Sequence, residues 1–229
     1  MIPYFQSTDC MIYHGDACDI MPMLAAEHLI GDSPYSSRTH KGHDQSEEIA
    51  NRRTLDYEPW DYGDVMRFVE AQRLSVSGWR VMFSDHVLQP AWEKFFEMTG
   101  LYTFAPIPYV VPGGRARLMG DGPACWATWI NVARPKEGRF SGWGSLPGAY
   151  VLPPGERDKN RVVGGKELWV MKRLVADYSK PGDVVLDPVC GSGTTLLAAV
   201  QLGRKCIGID STEKVCEMAT ERIRTFELA

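Results

Sequence analysis

The sequence lacks the features that mark membrane, secreted and metal-binding proteins. Its mostly apolar stretches, such as 195–202, are far shorter than the roughly 20 residues of a membrane span, and residues 1–11 lack the basic start of a signal peptide. The six cysteines form no CxxC pair and the five histidines no HxxxH pair, so neither a disulfide framework nor a zinc site is indicated. We therefore expect a cytoplasmic protein with reduced thiols, no membrane partner and no metal.

The composition is that of a folded globular chain with an uneven charge distribution. With 229 residues, of which 44% are hydrophobic, the length predicts a single domain over 1–229. The net charge is -4, but segment 113–173 has eleven basic against five acidic residues, so it carries +6 and the remainder -10. Such a basic region can bind a polyanion in a fixed orientation. A solvated basic face without a partner has the same charge pattern.

Apolar runs and helical spacings alternate along the chain, which predicts an α/β fold. Helices are expected around 65–74 and 88–96, over 194–202, and after Ser211, which can cap the last one. Strands are expected at 11–14, 27–31, 79–83, 101–111, 124–133, 183–187 and 205–209. These elements predict a sheet of about seven strands with helices on both faces. Stretches 33–60 and 134–165 exceed ordinary connections, so we expect functional loops there.

A glycine-rich loop connects the strand at 183–187 to the helix that follows it. Gly191 and Gly193 flank Ser192, and glycines at such a junction let backbone amides approach a ligand closely. The loop has neither the lysine of a triphosphate loop nor the GxGxxG of dinucleotide folds. Asp210 ends the next strand, where a doubly wound sheet places an acid for ribose hydroxyls. This pair fits a nucleoside without phosphates, and a structural turn is the alternative.

A second motif, Asp32-Ser33-Pro34-Tyr35, directly follows a buried strand. In this position a carboxylate, a main-chain carbonyl and an aromatic ring meet at the carboxyl edge of the sheet, where ligands bind in such folds. By itself the tetrapeptide equally fits an ordinary proline turn.

Together, the two motifs resemble those of the amino-group DNA methyltransferases. Residues 187–195, DPVCGSGTT, are similar to the DPFxGSGTT cofactor motif of that family, and 32–35, DSPY, to its DPPY catalytic motif. The catalytic motif comes first, as in the β class, and the resemblance extends through 14–17, 120–126 and 205–210. It implies a Rossmann-like S-adenosylmethionine-dependent methyltransferase fold with a circularly permuted motif order.

The sequence departs from the family pattern at three places. Ser33 stands where the family has its first proline, and Val189 stands where a phenylalanine flanks the cofactor. The usual HPxxKP is present only as VGGKE at 163–167, from which Lys166 alone carries over, toward the methionine end of the cofactor.

The resemblance implies S-adenosyl-L-methionine as the cofactor. It places Asp210 on the ribose, Asp16 near the adenine amine, and Ser192 and Thr194 at the carboxylate end. The expected cofactor-binding residues are Asp16, Ala17, Lys166, Asp187, Pro188, Val189, Gly191, Ser192, Gly193, Thr194, Asp210 and Ser211.

The implied reaction is methylation of an exocyclic amine on a flipped-out base. Asp32 accepts one amine N–H and the carbonyl of Ser33 the other, which directs the nitrogen lone pair at the methyl group, while Tyr35 stacks on the base. Pro34 completes the catalytic set. In the family an initial Asp is associated mainly with adenine, so we expect adenine N6. Cytosine N4, RNA or protein amide methylation, and an inactive cofactor- or DNA-binding protein are alternatives; the lack of a Pro-Cys dipeptide argues against carbon-5 chemistry.

The expected partner is double-stranded DNA in a restriction-modification system. The length leaves little room for a separate recognition domain, so we expect the two long loops to contact DNA and a homodimer to extend the surface. The candidate DNA-binding residues are Arg38, Lys41, Arg52, Arg53, Arg115, Arg117, Arg139, Arg157, Lys159 and Arg161.

Overall fold

The computed structural model describes residues 1–44, 57–115, 122–138, 140–158 and 165–228. Within these ranges a ten-stranded mixed sheet forms the centre of the molecule. No helix in the described ranges is long and apolar enough to cross a membrane.

Five parallel strands make up one half of the sheet. The order is β1-β2-β10-β9-β3-β4-β7-β6-β8, and β5 pairs with β7 outside this path. Strands β2, β10, β9, β3 and β4 run parallel, whereas β1, β7 and β6 are antiparallel to their neighbours β2, β4 and β7. The strands are β1 (Phe5–Gln6), β2 (Cys10–His14), β3 (His28–Asp32), β4 (Arg80–Ser84), β5 (Leu101–Thr103), β6 (Ile107–Arg115), β7 (Cys125–Pro135), β8 (Tyr150–Val151), β9 (Val184–Asp187) and β10 (Lys205–Asp210).

Helices cover both faces of the sheet, as predicted, and bury two apolar clusters. One cluster packs α5, α6 and α7 against the strands, and the other packs α1, α3 and α4. Local sequence sets the helix starts: Asp61 and Asp64 form a capping box before α3, and a proline lies in the first turn of α4. The helices are α1 (Ala17–Ile20), α2 (Ser37–Asp44), α3 (Tyr62–Ala71), α4 (Gln89–Met98), α5 (Leu168–Tyr178), α6 (Thr194–Gln201) and α7 (Glu213–Glu227), with short 3₁₀ helices at Met21–Met23 and Ser141–Trp143.

The α/β prediction is confirmed, and the strand count is corrected. The seven predicted strands correspond to eight strands of the structure, because the expected strand 101–111 is divided into β5 and β6 around Pro106. The additional strands β1 and β8 have two residues each, too few to show a pattern in the sequence.

Three smaller expectations were wrong. The stretches 33–60 and 134–165 are not loops throughout, since they contain α2, a 3₁₀ helix and β8; residues 45–56, 139 and 159–164 lie outside the described part. Thr212, not Ser211, is the N-cap of α7. Leu74 lies beyond α3 and is 92% exposed, because the helix ends at Ala71.

Candidate functional site

Each of the five parallel strands leads into an aspartate at the same edge of the sheet. Asp32, Asp187 and Asp210 are the last residues of β3, β9 and β10, and Asp16 and Asp85 follow β2 and β4 within two residues. Because parallel strands share one carboxyl edge, the topology brings these acids to one side of the molecule.

A cavity of about 310 Å³ opens at this edge and joins the two sequence motifs. Most of the predicted site residues line it, although they come from segments more than 150 positions apart. Of the predicted catalytic and cofactor-binding residues, Tyr35 and Gly193 lie outside the lining. The predicted residues that line it are Asp16, Ala17, Asp32, Ser33, Pro34, Lys166, Asp187, Pro188, Val189, Gly191, Ser192, Thr194, Asp210 and Ser211.

The glycine loop between β9 and α6 is shaped by two left-handed residues. Gly191 has φ of +51° and open space where a side chain would be, so the backbone is accessible from the cavity. Gly193 has φ of +78°, and a Cβ there would lie 3.0 Å from Cβ of Ala219 on α7. Gly191 therefore leaves the backbone open toward the cavity, whereas Gly193 allows the close packing of α6 on α7.

Asp210 braces this loop through its carboxylate. Its Oδ2 accepts the Gly191 amide at 3.0 Å, and its Oδ1 accepts the Thr212 amide at 2.9 Å. A carboxylate has about four lone-pair sites, and the Thr212 hydroxyl also bonds to this one, so capacity remains for one further hydrogen bond. Burial raises the pKa of Asp210, and the two backbone donors oppose that rise.

Asp187 lies beneath the loop and is 2% exposed. Its Oδ1 accepts the Val189 amide at 3.2 Å, and the Thr195 hydroxyl also bonds to the carboxylate. A Cβ at Gly31 of β3 would lie 2.8 Å from Oδ1, so only glycine leaves room for the carboxylate here. Burial raises the pKa of Asp187 to about 7, and the charges of Asp32 and Asp210 add to the rise.

Ser33 connects the catalytic motif to the neighbouring strand β4. Its hydroxyl donates to the Phe83 carbonyl of β4 at 2.8 Å, and the side chain is buried. The Tyr35 hydroxyl donates to Asp32 Oδ1 at 3.2 Å. Since Tyr35 is only 6% exposed, its expected stacking on a base stays a prediction.

Lys166 also contacts the catalytic motif. Its Nζ lies 2.5 Å from Asp32 Oδ2, and 5.0 Å from the ring centroids of both Tyr35 and Phe83. The sequence predicted that Lys166 contacts the methionine end of the cofactor. In the structure its ammonium pairs with the carboxylate of Asp32.

The chain directly after the motif is anchored by Asp85, which sequence reasoning missed. Oδ2 of this buried carboxylate accepts the Ser36 amide at 3.0 Å, the Ser36 hydroxyl, and the Thr39 hydroxyl at 2.5 Å. Oδ1 accepts the amides of Val87 and Leu88 at 3.1 and 2.9 Å. These hydrogen bonds lower the pKa of Asp85, outweighing the effect of burial.

Asp16, which also lines the cavity, has two structural partners, and its expected place near the adenine amine stays a prediction. Its Oδ1 caps α1 by accepting the Cys18 amide at 2.7 Å, and its Oδ2 pairs with Arg67 at 3.1 Å. Sequence reasoning did not identify Arg67 or the aromatic residues Tyr57, Trp60 and Phe68 as site residues, although all four line the cavity.

Little of the expected DNA surface falls in the described part of the chain. Arg38 and Arg157 are exposed, and Arg157 Nη2 lies 3.4 Å from the Pro112 carbonyl. The side chains of Lys41 in α2 and Arg115 in β6 are outside that part, as are Arg52, Arg53, Arg117, Arg139, Lys159 and Arg161. Among the described residues, no group of three or more His, Cys, Asp or Glu is arranged to hold a metal ion.

Sequence comparisons match the cofactor half of the site. Residues 164–221 match a family model, N6_N4_Mtase, described as DNA methylase. Type II methyltransferase M2.LlaDCHI of Lactococcus lactis subsp. cremoris is 41% identical over 58 residues, which cover 25% of this chain and 22% of that protein. Type II methyltransferase M.EcaI of Enterobacter cloacae is 55% identical over 47 residues, 20% of this chain and 10% of that protein. The matches thus span less than a quarter of these relatives.

Structural comparisons cover nearly the whole chain. The complex of M1.HpyAVI with SAM superposes with a TM-score of 0.66 at 22% identity, covering 93% of this chain and 99% of that one. PvuII DNA methyltransferase, which is cytosine-N4-specific, superposes with a TM-score of 0.69 at 12% identity, covering 96% of this chain and 88% of that one. The Rossmann-like methyltransferase fold is thereby confirmed. The matched segment, the two motifs and this fold make the chain similar to the amino-group DNA methyltransferases.

Proposed function

We propose that the chain is a site-specific DNA methyltransferase, a single catalytic domain that transfers a methyl group from S-adenosylmethionine to adenine N6. The observation that carries this proposal is the shared cavity, which Asp32 and Ser33 of the catalytic motif line together with Gly191 and Asp210 of the cofactor motif. A methyl donor and an acceptor amine have to meet within one cavity for direct transfer.

The residues present fit this cofactor. Gly191 leaves open space at its Cα, and Asp210 keeps capacity to accept a ribose hydroxyl beyond its bonds to Gly191 and Thr212. Thr194 opens α6, and Arg222 donates to its hydroxyl at 2.9 Å, which puts positive charge close to the proposed carboxylate end. Once bound, the cofactor supplies an electrophilic methyl group on sulfur.

The catalytic motif acts on the acceptor amine. An exocyclic amine is a poor nucleophile because its lone pair is delocalised into the ring. Asp32 accepts one N–H and the Ser33 carbonyl the other, so the nitrogen becomes pyramidal and its lone pair turns toward the methyl donor. Two hydrogen bonds restrain the segment that contains the Ser33 carbonyl. The Ser33 hydroxyl donates to the Phe83 carbonyl, and the Ser36 amide donates to the Asp85 carboxylate.

Adenine is proposed as the base because the motif begins with Asp32, a charged acceptor that bonds amines more strongly than a serine hydroxyl does. Cytosine N4 is the second candidate, since PvuII DNA methyltransferase, which is cytosine-N4-specific, has the same fold. DNA is proposed as the partner, contacted by basic residues of the two long stretches, with a homodimer extending the surface.

Nucleoside mass spectrometry tests the proposal. The protein is incubated with S-adenosylmethionine and DNA of mixed sequence, and with RNA in parallel, and the nucleic acid is digested to nucleosides. We expect N6-methyladenine from DNA alone, and none when Asp32→Ala replaces the unaltered protein. N4-methylcytosine without N6-methyladenine would contradict the choice of base, and cofactor binding without any methylated product would favour an inactive binder.

A further inference from the structure

The pair of Lys166 and Asp32 is a charged contact in a largely dry part of the site. The side chains are 9% and 25% exposed, and Nζ lies 2.5 Å from Oδ2. The aromatic rings of Tyr35 and Phe83 lie within 5.0 Å of the ammonium. A charge pair in such surroundings interacts more strongly than one on the surface, because little water screens it.

The backbone around Lys166 is anchored independently of this pair. The next residue, Glu167, is buried and accepts the Tyr109 hydroxyl of β6 at 2.6 Å. The Leu168 amide, the first of α5, donates to Asp158 at 2.6 Å. These two hydrogen bonds hold the start of α5 in place, and this positions Lys166 next to Asp32.

We propose that Lys166 is a positioning residue for methyl transfer: its ammonium holds Asp32 as a carboxylate, the form that accepts the target amine, and stays paired with it while the base is bound. The inference rests on the proposed function. Asp32 can accept the amine while it stays paired, because a carboxylate has about four lone-pair sites. Lys166 occupies one site on Oδ2 and the Tyr35 hydroxyl one on Oδ1, which leaves sites for an amine N–H.

The charged and hydrogen-bonding groups around Asp32 determine in which direction its pKa moves when Lys166 is replaced. Burial raises the pKa of Asp32, and the carboxylate of Glu167 adds to the rise. Asp187 on the adjacent strand β9 also interacts with Asp32 as a like charge. Lys166 and the Tyr35 hydroxyl oppose these effects. Without the ammonium, the pKa of Asp32 rises further, and a protonated carboxyl presents an O–H where the amine needs an acceptor.

The test compares Lys166→Met with Lys166→Arg, which keeps the charge, and Lys166→Gln, which keeps a donor without charge. Single-turnover methyl transfer is measured from mildly acidic to alkaline pH. We expect the acid limb of the rate to move to higher pH in the Met and Gln variants, because an adjacent positive charge lowers the pKa of a carboxyl and these variants lack it. The Arg variant should stay close to the unaltered protein.

Two further measurements separate this role from the alternatives. Calorimetry should show unchanged S-adenosylmethionine affinity in Lys166→Gln; a large loss would instead put Lys166 on the cofactor and overturn the inference. The Asp32 carboxyl titration, followed by carbon NMR in DNA-free protein and assigned with Asp32→Asn, should move upward in Lys166→Met and Lys166→Gln. An unmoved titration would overturn the role of Lys166 alone, whereas absence of transfer by the unaltered protein would contradict the proposed function.

Discussion

Asp187 gives the stability of this protein a pH dependence that one isosteric substitution removes. Burial raises its pKa from 3.8 to about 7, so the folded state holds the proton more tightly than the unfolded chain does. A raised pKa of this kind stabilises the fold fully below the unfolded value, and the contribution is lost as pH rises through the folded value. Asp187→Asn keeps the shape and the acceptor for the Val189 amide but has no proton to lose.

The magnitude follows from the width of that window. A pKa difference of about three units corresponds to about 4 kcal/mol at pH values above both pKa values. Between about pH 5 and about pH 8, the free energy of unfolding of the unaltered protein should fall by roughly 2 to 3 kcal/mol relative to that of Asp187→Asn. For a chain of this size, that difference corresponds to roughly 5 to 10 °C in Tm.

Urea unfolding and thermal melts of both proteins across this pH range, without cofactor, measure the effect. Glu217→Gln, which removes an exposed carboxyl on α7, is the control and should follow the unaltered protein at every pH. The reasoning would be refuted if the curves of unfolding free energy against pH ran parallel for Asp187→Asn and the unaltered protein. Asp187 would then have the same pKa in the folded and the unfolded state.

Three further predictions concern binding and transfer. Asp210→Ala removes the carboxylate that we propose as the acceptor for the ribose, at a cost of roughly 1.5 to 3 kcal/mol, so calorimetry should show S-adenosylmethionine affinity reduced about tenfold or more; unchanged binding would exclude this role. Asp32→Ala should abolish methyl transfer in a radiolabel assay while calorimetric cofactor affinity stays close to normal, and residual transfer near the unaltered rate would be inconsistent with its role. Replacing Arg157, Lys159 and Arg161 by Ala should weaken DNA binding and reduce its salt slope by about one for each lost phosphate contact, and an unaltered slope would exclude this segment as a DNA contact.

The parallel half of the fold was predictable because its signals are local. Buried parallel strands are continuous apolar runs, and each leads into a loop marked by glycine, proline or aspartate. The run 183–187 and its glycine loop therefore gave β9 and the start of α6 almost to the residue. The two-residue strands β1 and β8 depend on pairing with β2 and β6, and no pattern of two residues can report a partner.

The site was predictable only as far as its motifs extended. Asp32, Asp187 and Asp210 belong to recognisable segments, and the cavity brings their segments together. Asp85 was missed because its function depends on Ser36 and Thr39, some 46 to 49 positions away, and an aspartate after a strand has no distinguishing local pattern. The partner of Lys166 was missed for the same reason, since 134 positions separate it from Asp32.

The substitution of Ser33 for the family's proline is best understood through these long-range contacts. A proline restricts the backbone by fixing φ, which limits where the carbonyl of the same residue can point. Serine lacks that restriction, but its hydroxyl bonds to the Phe83 carbonyl on β4, and Asp85, just after β4, holds the amide of Ser36. The motif is therefore tied to β4 at Ser33 and to the segment after it at Ser36, on either side of Pro34 and Tyr35. Tertiary hydrogen bonds here replace a local covalent restraint, so the departure from the family pattern is compatible with a rigid acceptor for the target amine.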